Sequence, residues 1–240
     1  MLRFFQKNCL LCGASSDNDL CRPCWDSLSH LPPGRCPICA SLVAENLVCG
    51  ACLADPPAFA HVVAATSYAF PVDAMIHSLK YQANLAMAPI LADLLMPQIN
   101  PLTFPDFIVP MPLHPTRLRE RGFNQALEIA RHIVKKMGIV MLPNACKRVK
   151  NTASQTGLPW KEREKNIRGA FACEMALTGK HIAVLDDVMT TGATLNELAR
   201  VLRKCGAVKV SGWVVARTLQ ETVDVKNKRL SGLITTHPAD

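Results

Sequence analysis

Eight of the chain's eleven cysteines fall into four Cys-x-x-Cys pairs: Cys9 and Cys12, Cys21 and Cys24, Cys36 and Cys39, Cys49 and Cys52. Two thiolates separated by two residues can meet one metal from a single tight turn. Two such turns complete a tetrahedral tetrathiolate zinc site. Four pairs within 44 residues therefore predict two zinc ions. Every ligand is a protein thiolate, which leaves no position for water, so the zinc is expected to be structural. Intervals of eight and nine residues favour sequential pairing, with Cys9 to Cys24 on one ion and Cys36 to Cys52 on the other. The smaller loops also close at less entropic cost. A cross-braced arrangement, first pair with third and second with fourth, is the alternative.

A disulfide framework competes with zinc, and it needs an oxidising compartment. Residues Met1 to Cys12 contain no apolar run followed by a small-residue cleavage site. The best membrane candidate, Ala86 to Met96, is short and carries Asp93. A cytoplasmic chain without a membrane attachment is expected, and metal binding prevails there. Cys146, Cys173 and Cys205 stand alone in sequence and are expected to act as small buried hydrophobes.

The second concentration of chemistry is Ile182-Ala183-Val184-Leu185-Asp186-Asp187-Val188-Met189-Thr190-Thr191-Gly192-Ala193-Thr194. An apolar strand delivers two adjacent acids to its C-terminal edge, the edge at which open α/β sheets bind ligands. The loop that follows can aim backbone N–H groups and threonine hydroxyls at one phosphate, and a helix N-terminus favours its charge. Gly192 permits close backbone approach. The acids would repel that phosphate and suit hydroxyl groups one sugar away. A phosphorylated sugar with a free diol fits both halves. No Gly-Lys-Thr is present, which excludes a Walker A loop.

Charge adds a third signal. The net charge is +8, yet residues 1–60 carry four basic and five acidic side chains. From Leu113 to Arg168 there are thirteen Lys and Arg against four Glu. Such a concentration suits a polyanion, either nucleic acid or a phosphate-rich substrate. Aromatic residues make up only 5%, so the core must be aliphatic and base-stacking platforms are few.

The elements that must position these groups follow from periodicity. Asp55-Pro56-Pro57 reads as a break after the last thiolate pair. Strands are expected over Ala60 to Phe70, Phe107 to Val109, His181 to Leu185 and Val208 to Val215, and helices over Asp73 to Tyr81, Ala86 to Met96, Asn124 to Met137 and Thr194 to Lys204. The alternation predicts an α/β domain with a parallel sheet flanked by helices. The expected division is a double zinc-ribbon module at 1–57, the α/β domain at 58–220 and a tail at 221–240.

Four apolar residues, two acids and a Thr/Gly loop resemble the fingerprint of the type I phosphoribosyltransferases. The resemblance implies that Asp186 and Asp187 hold the ribose hydroxyls of 5-phosphoribosyl pyrophosphate. It also implies that Thr190, Thr191, Gly192, Ala193 and Thr194 wrap its 5-phosphate, and that Mg²⁺ accompanies it. Val109-Pro110-Met111-Pro112 followed by Arg117, Arg119 and Arg121-Gly122-Phe123-Asn124-Gln125 is similar to the ComF competence-protein family and its gluconate-utilisation-associated relatives. These join a double zinc ribbon to a phosphoribosyltransferase domain, and the resemblance covers the chain from Cys9 to about Thr218.

By that resemblance the turn after the strand at Ile108 to Met111 binds pyrophosphate, with Arg121 as the candidate arginine at the reacting end. The stretch holding Gln155, Lys161, Arg163, Lys165, Asn166 and Arg168 takes the place of a mobile loop over the substrate. The associated process is uptake or use of external DNA, so single-stranded DNA and DNA-processing proteins are candidate partners. The readings that remain are a glycosyltransferase of unread acceptor and a non-catalytic nucleic-acid-binding protein or adapter that keeps the fold. Trp25, Leu28 and Leu31 are the apolar residues an adapter would use. A homodimer is a further candidate that the sequence leaves open.

Overall fold

The computed structural model describes residues 7–151 and 166–219. The 221–240 tail and four residues of the expected mobile loop, Gln155, Lys161, Arg163 and Lys165, lie outside the described residues.

The zinc module is built twice on one plan. In each half, a knuckle carrying the first Cys-x-x-Cys pair is followed by a helical turn carrying the second. The short strands β1 (Lys7–Asn8) and β2 (Ser15–Ser16) pair antiparallel beside the first knuckle. The amide of Gly13 donates to the Cys9 carbonyl (2.9 Å), and the amide of Ala40 donates to the Cys36 carbonyl (2.9 Å). Both residues after the second cysteine adopt positive φ, 73° at Gly13 and 57° at Ala40, which turns the chain back on itself. Cys21 and Cys49 then stand immediately before the single-turn helices α1 (Arg22–Asp26) and α2 (Gly50–Ala54).

The second part is a five-stranded parallel sheet. Its strands are β3 (His61–Ser67), β4 (Phe107–Pro110), β5 (Val140–Met141), β8 (His181–Met189) and β9 (Lys209–Arg217), in the order β3-β9-β8-β4-β5. The remaining two, β6 (Cys146–Arg148) and β7 (Phe171–Cys173), form a separate antiparallel pair between β5 and β8. The helices are α3 (Val72–Gln82), α4 (Met87–Leu95), α5 (Pro115–Arg121), α6 (Gln125–Met137) and α7 (Ala193–Lys204). Each long helix buries an aliphatic stripe; in α6 it is Ala126, Ile129, Ala130 and Ile133. Central strands read as continuous apolar runs because both sheet faces are covered.

The expected strands and helices of the α/β domain are present, with three differences. First, β8 continues through Met189, so Asp186, opposite Val214 of β9, and Asp187 lie within the strand and not at its end. The ladder to β9 holds them there. Second, Pro115 to Arg121 forms a helix, started by Pro115 and ended at Gly122 with φ 82°. Third, the lone cysteines are neighbours. Cys146 faces Cys173 across the β6–β7 ladder, and the Cys205 thiol donates to the Cys173 carbonyl at 3.3 Å.

The zinc module packs against the sheet. Leu28 is buried, and Trp25 and Leu31 pack half-buried on the common core. Leu28 is thus taken up by intramolecular packing, while Trp25 and Leu31 keep part of their surface exposed.

Asn124 links secondary structure to the site. Its Oδ1 accepts from the amides of Ala126 (3.0 Å) and Leu127 (3.4 Å), capping α6, while its Nδ2 donates to the Met111 carbonyl (3.0 Å) just beyond β4. Asn124→Ala is expected to cost about 1–2 kcal/mol in urea unfolding. Asn124→Asp keeps the cap and loses the tether, so it should recover part of that loss.

Candidate functional site

Two centres stand close together at the C-terminal edge of the sheet. The first is the thiolate module. Its ligand sulfurs group as Cys9, Cys12, Cys21 and Cys24, and as Cys36, Cys39, Cys49 and Cys52, each set lying within 4.8 Å of one another. This is the sequential pairing. Cys12 and Cys21 sulfurs are 3.6 Å apart, and those of Cys39 and Cys49 are 3.5 Å apart. A tetrahedron with zinc–sulfur bonds of about 2.3 Å has edges of about 3.8 Å, so both sets fit zinc with little movement.

Electrostatics agree with the donor set. Burial pushes the Cys9 thiol up, but the amides of Cys12, Cys21 and Leu11 outweigh it and bring its pKa down to about 6. Cys36 behaves alike: burial opposes its charge, amides of Cys49, Cys39 and Ile38 favour it, and its pKa falls to about 7. Cys24 is pushed up to about 12, chiefly by the neighbouring Cys12 and Cys21 sulfurs. Four adjacent thiols cannot ionise together unless a cation compensates them.

The second centre lies between β4 and β8. From β4 the chain crosses to β5 on one side, and from β8 it crosses to β9 on the other. Such a reversal of strand order opens a crevice at the strand ends. Successive side chains on β8 point to opposite faces, so the two acids separate. Asp186 is half-buried and lines a hollow of about 60 Å³ with Thr190, Thr191, Gly192 and Thr194. Asp187 turns to the other face and is 2% exposed. There it forms an ion pair with Lys80 of α3 and accepts from Gln125 Nε2 at 3.3 Å.

Burial, then the charge of Asp187, raise the Asp186 pKa well above the usual carboxylate range. Burial also opposes the charge on Asp187, but Lys80, the neighbouring Asp186 and the bond from Gln125 hold its pKa below that range. The two neighbouring carboxyls are thus pushed in opposite directions, Asp186 toward its neutral form and Asp187 toward its charged form.

The network continues outward. Arg121 Nη1 donates to Gln125 Oε1 (2.5 Å), and the guanidinium lies 5.5 Å from the centre of the Tyr81 ring. Lys80, Tyr81, Arg117 and Arg121 line an open groove of about 640 Å³. Arg119 faces solvent and does not line it. Arg148 of β6 is pushed down by burial and by the charge of Arg117, while Asp186 pulls it back up, which puts this guanidinium in the field of the acids. Of the loop residues within the described range, Asn166 is half-buried and Arg168 is exposed.

The residues expected from the sequence to form a phosphate loop, Thr190 to Thr194, stand as a turn into α7. Gly192 has φ 84°, and a Cβ there would lie 2.6 Å from the Met189 methyl carbon, so this position needs glycine. Thr191 Oγ1 accepts from the Ala193 amide at 3.2 Å, shaping the first turn of the helix.

Sequence reasoning missed Lys80, the pairing role of Gln125, and Arg217. Lys80 had a readable signal, since it lies four residues after Ile76 and so falls on the apolar stripe of its helix. Arg217 closes a strand that is buried from Val210 onward, itself included.

The architecture defines a two-part protein: paired tetrathiolate ribbons joined to a phosphoribosyltransferase-type sheet. Comparison with protein families agrees, because residues 3–53 match the double zinc ribbon domain and residues 122–237 match the phosphoribosyl transferase domain. Competence protein F of Haemophilus influenzae is 32% identical over 230 residues, covering 90% of this chain and 100% of that protein. DNA utilization protein YhgH of Escherichia coli K12 is 34% identical over 219 residues, covering 88% and 90% respectively. Competence protein ComFC of Streptococcus pneumoniae is 24% identical over 226 residues, covering 87% and 99%. The chain belongs to the ComF/YhgH competence and DNA utilization family. None of its helices among the described residues is long and apolar enough to cross a membrane.

Metal analysis of the purified chain should find about two zinc ions, and Cys9→Ser or Cys36→Ser should each lower the count to about one. Lys80→Gln strands Asp187 in a buried site and should destabilise by about 3 kcal/mol near neutral pH. The folded pKa of Asp187 is depressed, so its stabilisation is present above the unfolded value of roughly 4 and lost as pH falls through the folded value. The gap between parent and Lys80→Gln in denaturant titrations should therefore close below about pH 4.

Proposed function

We propose that this chain binds 5-phosphoribosyl pyrophosphate with Mg²⁺ through its phosphoribosyltransferase domain, residues 58–220, in a process of DNA uptake or utilisation. The observation that carries this reading is Asp186 lining one hollow with the loop that opens α7. The first turn of α7 suits the 5-phosphate, by its amide donors and its partial positive charge. Asp186 suits the ribose hydroxyls next to it. The basic groove of Lys80, Arg117 and Arg121 suits the pyrophosphate, since guanidinium forks match phosphate oxygens. The names of the competence and DNA utilization relatives support the process.

For glycosyl transfer, the bond from C1′ to the pyrophosphate oxygen breaks as positive charge develops on the ribose. Mg²⁺, when bound with the substrate, would neutralise charge on the departing pyrophosphate. Arg121 is braced by Gln125, and through it by Asp187, so its charge is fixed before substrate arrives. Asp187 acts here by positioning Lys80 and Gln125, while Asp186 is the carboxylate that faces the sugar.

A second reading is contact with a single nucleic-acid strand. It is favoured by Tyr81, which is 67% exposed beside the basic groove, with Tyr68 also exposed. These are the chain's only two tyrosines, and together with the cations they offer a stacking face and phosphate contacts.

Isothermal titration with phosphoribosyl pyrophosphate and Mg²⁺ should show binding that Asp186→Asn weakens at least about tenfold. Affinity should rise with pH, because the hydroxyls bind the ionised form and the Asp186 pKa is raised by burial and by Asp187. Equal affinity in parent and variant would remove the sugar-site assignment. Pyrophosphate release screened against bases and amines separates turnover from binding alone, and binding to oligodeoxythymidine that is lost in Tyr81→Ala favours the second reading.

A further inference from the structure

Arg217 ends β9 and is 4% exposed, yet it touches neither acid. Its guanidinium reaches in two directions. On one side, Nε donates to the Cys39 carbonyl (3.0 Å) and Nη2 donates to Ser41 Oγ (2.9 Å). On the other, Nη1 donates to the carbonyls of Met189 (3.2 Å), Thr190 and Thr218 (2.7 Å). Met189 and Thr190 are the residues from which the phosphate loop departs. Ser41 in turn lies 3.2 Å from the Cys39 sulfur. With zinc bound, Cys39 is a thiolate and the Ser41 hydroxyl is placed to donate to it. One buried cation thus fastens a metal-ligand turn to the loop across 178 residues of sequence.

Nothing comparable joins the first thiolate set to the loop among the described residues. The second set shares a hollow of about 350 Å³ with the loop, lined by Cys39, Cys49, Cys52, Thr191, Gly192 and Arg217. Loss of metal there would free the Cys39 turn, and a buried guanidinium would lose acceptors it cannot replace with water. Its remaining acceptors are the loop carbonyls, so the disturbance is delivered to the loop.

We propose that Arg217 is a positioning residue through which the second zinc site, at Cys36, Cys39, Cys49 and Cys52, holds the 190–194 loop in its phosphate-binding shape, while the first site does not. The functional consequence rests on the reading of that loop as the 5-phosphate cradle; the mechanical coupling does not.

The experiment measures amide hydrogen exchange of the full zinc-loaded chain without ligand, and then affinity for phosphoribosyl pyrophosphate with Mg²⁺. Arg217→Lys keeps the charge but cannot span both sides. It should retain about two zinc ions, speed exchange over 190–195 by about tenfold or more, as the loss of a charge-assisted hydrogen bond implies, and leave β3 and β4 unchanged. Cys49→Ser should reproduce the faster loop exchange, whereas Cys12→Ser should lose one zinc without it. If Arg217→Lys does not fold, Ser41→Ala removes only the zinc-side contact and should still speed loop exchange. Parent-like exchange in Arg217→Lys, or in Ser41→Ala where that variant stands in for it, overturns the proposal, as does an equal effect of Cys12→Ser. Faster exchange with no ligand binding even by the parent leaves the coupling standing and removes the sugar-site reading instead.

Discussion

Two adjacent carboxylates near the buried C-terminal end of β8 impose the constraint on which much of the sheet edge depends. Like charges this close cannot both ionise in a site shielded from water. The strand separates them onto opposite faces, and Lys80 and Gln125 compensate the one that is fully buried. That compensation fixes where α3 and α6 must sit, because each contributes one of the partners. It also fixes Arg121, which is bonded to the same Gln125. An ion pair formed at the expense of hydration is weak support for stability on its own, but leaving one member unpaired is heavily penalised. The packing of three helices is thereby tied to the electrostatics of the crevice.

The zinc module faces the opposite problem. It has few large core residues, and its halves are each a pair of turns that bring four thiols within reach of a cation. Zinc held by the two thiolate sets would supply the cohesion that apolar burial does not, on the order of 10 kcal/mol in small domains of this kind. The module then shares the sheet's core through Leu20 and Leu28. Its second half reaches the loop that opens α7 through Arg217 and, among the described residues, its first half does not, so two nearly identical structural units have different neighbours. The duplication is local, and the asymmetry comes from docking.

Much of this was legible beforehand because it is local chemistry. The thiolate pairs announce metal by spacing, and the apolar run leading into two acids and a Thr/Gly turn announces a strand, a ligand edge and a helix start. The stripe over Asn124 to Met137 announces a helix, and the structure adds that Asn124 is its cap. The end of β8 was less legible. Acidic residues read as the end of a strand, yet the ladder to β9 extends past them through Met189. Helix α5 was obscured by its arginines, which suggested a loop of ligands more than a helix opened by proline.

The sequence by itself determined the inventory: eight zinc thiolates, an alternating α/β chain and a phosphate-type turn, because each is written in residues close together along the chain. Tertiary structure alone decided which acid faces the crevice and which is neutralised, since Lys80 and Asp187 are brought together from distant helices and strands. It also decided that the lone cysteines meet, and that Arg217 bridges two modules. Contacts of this kind depend on sheet order and on which face a helix covers, and neither leaves a periodic mark on the residues that make them.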